Sequence, residues 1–265
     1  MISAAPADRL CQLRRTVASL DKDRAFSIED EAAALRLGVE AVDNSLAGGL
    51  AFGALHELSP ATPAQLGAAF GFAVALASLS AAGGRHVLWI QTEFAALEAG
   101  MPYGPGLDLF GLPMERLLVL RVPRPLDLLW AFEEALKPRA LAAVIAELPE
   151  AGAATDLTAT RRLSLAARAG GGLGLLLRHA PSPLATAALT RWDIAGAPSA
   201  PDRFGGLGRT AFDLCLNRNR RGRCGRWIVN WDHDARTFVP AALSLGMAAT
   251  ARDRSDVARP LARAG

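Results

Sequence analysis

A chain of 265 residues is long enough to bury a real core in one sizeable α/β domain with appendages. Its formal net charge of +3 excludes a polycation, and no signal-type apolar core precedes the first charges. Three cysteines, Cys11, Cys215 and Cys224, show neither CxxC pairing nor metal-ligand spacing, so they read as free thiols of a cytoplasmic protein without a structural metal.

In chain order, residues 1–34 form a first unit. Leu10, Leu13, Val17 and Leu20 recur at helical spacing, with Arg9, Arg14, Arg15, Asp21 and Lys22 on the other sides. This predicts an amphipathic helical arm that needs a partner surface, on its own domain or on another protein. Residues 35–240 form the core. Strands are predicted at Ala54–Leu58, Val87–Ile90, Leu117–Val122, Ala142–Ala146 and Leu173–Leu177, and helices at Ala64–Ala82, Asp127–Leu136 and Asp156–Ala169. Asp127 and Asp156 suit N-cap positions, and Pro138 stops the second helix. Near-continuous apolar strands alternating with helices point to a mostly parallel sheet covered on both faces. Beyond residue 184, Ala185–Ala195, Ala211–Asn217 and Arg226–Trp231 read as an antiparallel extension of that sheet. Residues 241–265 are polar, Arg/Ala-rich and aperiodic, which predicts a flexible tail. The uncharged stretch from Leu58 to Gly84 has the length of a membrane span. It is Ala/Gly/Ser-rich and carries Pro60 and Pro63, so a helix packed inside the sheet layers explains it better than a membrane.

The stretch from Gly53 to Gly67 has the strand–loop–helix order of a phosphate cradle. A working cradle needs a glycine-rich loop whose N–H groups converge on phosphates, a Lys, and a Ser/Thr on magnesium. Here the loop has Ser59 and Thr62 but also Pro60 and Pro63, which donate no N–H. The Lys position reads Gln65 and the Ser/Thr position reads Leu66, so neither phosphate charge nor metal is provided for and no cofactor is expected. At the tip of the fourth strand Glu147 is a carboxylate of the kind that holds a magnesium-bound water. Arg218, Arg220, Arg221, Arg223 and Arg226 fall between two predicted strands, with Trp227 and Trp231 beside them. Guanidinium groups suit phosphate oxygens and an indole can stack on an unpaired base, which makes this the candidate site for single-stranded DNA or an acidic partner. Against it, Trp227 and Trp231 are four apart in a strand and share one face, which is the core face if they are buried. Arg161 and Arg162 sit near a helix start and pair with Asp156 or Glu150, or face a partner. His56 and His179 are isolated near strand ends, Trp130 reads as helix core, and Glu133 and Glu134 face solvent.

Residues 38–57, Gly-Val-Glu-Ala-Val-Asp-Asn-Ser-Leu-Ala-Gly-Gly-Leu-Ala-Phe-Gly-Ala-Leu-His-Glu, resemble the entry to the RecA core. More narrowly, the chain resembles the ImuA family. The resemblance rests on Gly49-Leu50-x-x-Gly53-Ala54-Leu55-His56-Glu57, Tyr103–Leu107, Leu129–Leu136, Leu157–Leu163, Thr190-Arg191-Trp192 and the Arg-rich run from Leu216 to Trp227, in order across residues 35–235. It implies a RecA-like α/β core, with Glu93 near the position of the carboxylate that activates water in RecA-type ATPases. It also implies a non-catalytic adaptor in SOS-induced mutagenic translesion synthesis, acting with an ImuB-type relative of the Y-family polymerases and, indirectly, an error-prone polymerase. RecA itself is a further candidate partner. The stretches matching the two DNA-binding loops of RecA, Pro149–Thr155 and His179–Thr186, lack the look of DNA-reading loops, which speaks against RecA-style filaments. Two other readings stay open on sequence alone. An ATPase with a non-standard phosphate loop would use Glu93 and Glu147, and a SulA-like division inhibitor would share the same degenerate core.

Overall fold

In a computed structural model, the described residues are 34–149, 156–201, 204, 206 and 208–241. The predicted arm, apart from Ala34, the tail beyond Ala241, and Glu150 with most of the Pro149–Thr155 stretch lie outside them. The described residues begin with β1 (Ala34–Leu35), α1 (Glu40–Ser45) and β2 (Leu50–Ala51), and β1 pairs with β2. This lead is tied by Asp43, whose Oδ1 accepts from the Leu37 N–H at 2.8 Å and whose Oδ2 accepts from Gly38 at 3.2 Å. Gly49 closes it at φ +141, where a Cβ would stand 2.6 Å from the Leu35 carbonyl oxygen.

Then follow β3 (Ala54–Pro60), α2 (Leu66–Ser80), β4 (His86–Thr92), α3 (Glu93–Glu98), α4 (Gly104–Leu109), β5 (Leu117–Val122), α5 (Pro125–Leu136), β6 (Leu141–Leu148), α6 (Leu157–Gly170) and β7 (Leu173–Arg178). The chain continues through β8 (Thr190–Gly196), β9 (Ala211–Asn219), β10 (Gly225–Asp232) and β11 (Thr237–Pro240). Among the described residues, nine strands form one sheet in the order β11-β10-β9-β8-β3-β7-β6-β4-β5. From β8 across to β5 every pairing is parallel, and from β8 out to β11 every pairing is antiparallel. β8 is thus the hinge between the two halves predicted from sequence. The central strands β6 and β7 are buried at every position, as a sheet covered on both faces requires.

Helices α5 and α6 cover one face, setting Leu128, Phe132, Leu136 and Leu163 against Leu55, Ile90 and Leu176. Helix α2 covers the other, and the antiparallel strands also reach it. Phe72 lies 5.8 Å from Trp192, 5.9 Å from Phe212 and 5.5 Å from Phe238, ring centroid to centroid. Enclosure on more than one side is why this helix is apolar around its circumference, and why its segment, Pro63–Gly83, has the length and hydropathy of a membrane span.

Several expectations need correction. Helix α5 starts at Pro125 with Arg124 at the N-cap, not at Asp127, because proline fits the first helical position and forces its predecessor into extended backbone. Asp127 instead pairs with Arg124 at 2.9 and 3.0 Å. Asp156 does cap α6, accepting from Ala159 N at 2.7 Å. Residues 185–189 are loop rather than strand. Trp130 is 39% exposed rather than core, since α5 turns Leu128, Leu129, Ala131 and Phe132 inward. Sequence periodicity does not suggest β11, α3 or α4.

His56 is an unusual core residue, fully enclosed in β3. Its Nε2 donates to the Ala51 carbonyl at 2.9 Å and its Nδ1 accepts from Thr190 Oγ1 at 2.8 Å, while that hydroxyl accepts from Trp192 Nε1 at 2.9 Å. The carbonyl fixes the tautomer. Burial lowers the imidazole pKa to about 4, against the opposing pull of the Ala51 carbonyl.

Candidate functional site

The segment in the phosphate-cradle position runs from buried Ser59 to Leu66, the first residue of α2. Pro60 and Pro63 lack an N–H. Ala61 N donates to Ile194 O at 2.8 Å, Gln65 N to Thr62 O at 2.9 Å, and Leu66 N to Pro63 O. Within residues 59–66 no two consecutive amides remain to face a phosphate. Thr62 is extended and its hydroxyl caps nothing. Gln65 holds two elements of the fold together. Its Oε1 accepts from Gly196 N at 2.8 Å, joining the start of α2 to the end of β8. An ammonium at this position has no lone pair for that bond.

At the neighbouring strand ends Glu147 is 1% exposed and its carboxylate is surrounded by donors. Trp89 Nε1 donates to Oε2 at 3.0 Å, Gln91 Nε2 donates to the same oxygen at 3.3 Å, and His179 Nε2 lies 2.8 Å from Oε1. Parallel register explains the convergence, because Trp89 pairs with Ile145 and Gln91 with Glu147, so alternate residues of β4 and β6 point to one face. Phe70 of α2 roofs the group, edge-on to Trp89 at 5.8 Å and to His179 at 5.9 Å. His179 is therefore a partner of Glu147 rather than isolated. Among the described residues, Gln91 Oε1 has no hydrogen-bond partner, though its amide nitrogen also holds Gly100 O at 3.1 Å. Glu93 sits apart, exposed at the first position of α3 beyond its N-cap Thr92.

On the opposite face, Glu57 gathers a second buried cluster. Arg178 Nε pairs with Oε1, while Arg191 Nε at 3.2 Å and Thr186 Oγ1 at 2.7 Å reach Oε2. Arg191 also donates to the carbonyls of Ser182 and Leu184. The loop between β7 and β8 is thereby fastened to the sheet. Sequence reasoning assigns Glu57, Arg178 and Arg191 no role. The available signal is the rarity of a buried carboxylate in an apolar strand, and its meaning needs the pairing of β3 with β7 and β8.

The five arginines of the late segment do not share one loop. Arg218 lies in β9 and Arg226 in β10, with Arg220, Arg221 and Arg223 in the turn between. Arg226 forms a two-pronged pair with Asp213, at 2.7 Å from Nε and 2.5 Å from the terminal nitrogen. Arg218 and Arg220 each donate to the same Thr186 carbonyl at 3.0 Å. Desolvation holds the Arg220 guanidinium below its ordinary pKa, and repulsion from Arg218 and Arg161 adds to it. The indoles do not stand ready for bases: Trp231 is fully buried and Trp227 packs on the core 6.4 Å from Trp192. Arg162 pairs with Glu133 of α5 at 2.6 Å rather than with Asp156, whose carboxylate caps the helix.

No protein-family model matches the chain. It is 34% identical over 210 residues to "Protein ImuA" of Caulobacter vibrioides, strain NA1000 / CB15N, covering 74% of this chain and 82% of that one. The ImuA of the strain ATCC 19089 / CIP 103742 / CB 15 matches to the same extent. Among solved structures, the RadB recombinase superposes with a TM-score of 0.55 at 15% identity, over 78% of this chain and 100% of that one. The fold is accordingly a RecA-like α/β fold.

Proposed function

The chain belongs to the ImuA family, and from that premise we propose that it is a non-catalytic accessory protein of mutagenic translesion DNA synthesis. In this reading it acts in the cytoplasm with an ImuB-type relative of the Y-family polymerases, and it offers surfaces rather than a reaction. RecA is a second partner in the proposal, met through the shared fold or the N-terminal segment. One observation carries the non-catalytic part. Where a nucleotide would sit, Glu147 is already bonded to Trp89, Gln91 and His179, and the preceding loop presents no consecutive amides, no Lys and no metal-holding hydroxyl. Phosphoryl transfer depends almost wholly on positioned charge and metal, so a site without either supports an adaptor.

The test is complementation. In cells lacking the chromosomal gene, the wild-type chain and a Glu93→Gln variant are expected to restore damage-induced mutation equally, because Glu93 is exposed and off the sealed carboxylate. Purified chain and an ImuB-type partner are expected to associate with or without ATP. Loss of mutagenesis in Glu93→Gln at unchanged protein level, or association that requires ATP, would return the ATPase reading.

A further inference from the structure

Some arginines of the described structure pair with a carboxylate and others do not. Arg124, Arg162, Arg178, Arg191, Arg209 and Arg226 each pair with a carboxylate. Arg161, Arg218, Arg220, Arg221 and Arg223 pair with none among the described residues. Those five come from two places in the chain, α6 and the β9–β10 turn, and the fold draws the two places together. Arg218 and Arg220 meet at the Thr186 carbonyl, and Arg161 is close enough to act on Arg220 electrostatically. Among the described residues, three acids of the neighbourhood are engaged elsewhere. Glu57 is held by Arg178, Arg191 and Thr186, Asp193 accepts from Asn217 Nδ2, and Asp213 is held by Arg226.

Two guanidiniums on one neutral acceptor, with a third beside them, repel one another unless an anion lies between them. Each guanidinium has five N–H donors. Arg218 and Arg220 each give one of theirs to Thr186 O. The anchoring is also firm, because the Thr186 side chain is bonded to buried Glu57 and the next amide, Ala187 N, donates to Thr160 Oγ1 of α6 at 2.9 Å. The cluster is therefore a preset cationic cradle rather than loose surface charge.

We infer that Arg161, Arg218 and Arg220 form a binding site for consecutive phosphates of single-stranded DNA, with Arg221 and Arg223 extending the track along the turn. A nucleic-acid backbone is favoured over an acidic protein because the site offers a row of separated guanidinium groups, each suited to a phosphate; Leu184 of the adjoining loop and Leu165, one turn beyond Arg161, are its exposed large apolar neighbours. The site differs from the sequence expectation in both directions. Arg226 leaves it, because Asp213 neutralises it, and Arg161 joins it from a distant stretch of chain. The choice of DNA rests on the translesion reading, whereas the anion cradle does not.

The experiment is fluorescence anisotropy of the full chain with a fluorescein-labelled thymidylate oligonucleotide at a series of salt concentrations. With three phosphate contacts the affinity falls about 20-fold between ~50 and ~200 mM salt, a log–log slope near −2. Arg161→Gln, whose side chain makes no hydrogen bond to the described residues, is expected to reduce that slope by about 0.7. The triple change R161Q/R218Q/R220Q is expected to reduce the slope by about 2, and Arg226→Gln to leave binding within about twofold of wild type. Unchanged affinity and slope in Arg161→Gln and the triple variant would overturn the proposal, as would salt-insensitive binding. Absence of DNA binding with retention of polyglutamate would overturn it too, assigning the cradle to an acidic protein. None of these outcomes touches the complementation result for Glu93→Gln, so the two readings fail separately.

Discussion

Trp89 Nε1 donates to Glu147 Oε2 across 3.0 Å on the face of the sheet that Phe70 of α2 roofs. Removing the donor leaves a buried carboxylate one hydrogen bond short. Trp89→Phe is therefore expected to cost about 1–3 kcal/mol in urea unfolding, with Glu147→Gln milder because it keeps the shape and an acceptor. A double-mutant cycle of the two is expected to show a coupling of at least about 0.5 kcal/mol. Strict additivity would mean that the indole and carboxylate do not support each other.

Restoring the motif's side chains does not restore the cradle. Gln65→Lys with Leu66→Thr supplies the missing groups, but Pro60 and Pro63 still lack N–H groups and Ala61 N still serves Ile194 O. The double variant is expected to bind no ATP and to lose about 1 kcal/mol, since Gly196 N loses its Gln65 partner. Isothermal titration and urea unfolding on the same preparation check both halves.

His56 gives the fold a defined acid sensitivity. Its folded pKa, about 4, lies below the ordinary 6.5, so the unfolded chain binds a proton in that window and the folded one does not. Stability is full above pH ~6.5 and declines as pH falls towards ~4, by roughly 3 kcal/mol in all. Unfolding midpoints measured at several pH values across the window are expected to show this slope, and His56→Gln to flatten it.

The lead into the core is equally specific. Asp43→Ala removes the acceptor for Leu37 N and Gly38 N and is expected to cost about 2 kcal/mol. Gly49→Ala forces a Cβ onto the Leu35 carbonyl at a left-handed φ and is expected to cost at least as much, ~2–3 kcal/mol by thermal melting.

How far a sequence can be read depends on whether a feature is local. The strands from Ala54 to Arg178 announce themselves as apolar runs, and Asp156 announces its helix, because burial and capping act within a few residues. Trp130 defeats such reading because Leu129-Trp130-Ala131-Phe132 is apolar throughout, and only packing decides which side faces out. The site residues are the least legible. Gln65 and Leu66 show what is missing from a cradle. The contacts of Glu147 with Trp89 and His179 depend on strand register, and Arg161 comes within electrostatic reach of Arg220 only through the fold. Counting arginines in one stretch therefore includes Arg226, which is neutralised by Asp213 across the β9–β10 pairing.

The most direct test of the central claim is an equilibrium titration of the purified chain with a fluorescent ATP analogue and magnesium, carried to millimolar concentration. The account predicts no saturable binding, with the protein remaining competent to associate with its ImuB-type partner. Saturable binding that ATP competes away would contradict it, because a phosphate site would then exist where Glu147 and the proline-bearing loop leave none.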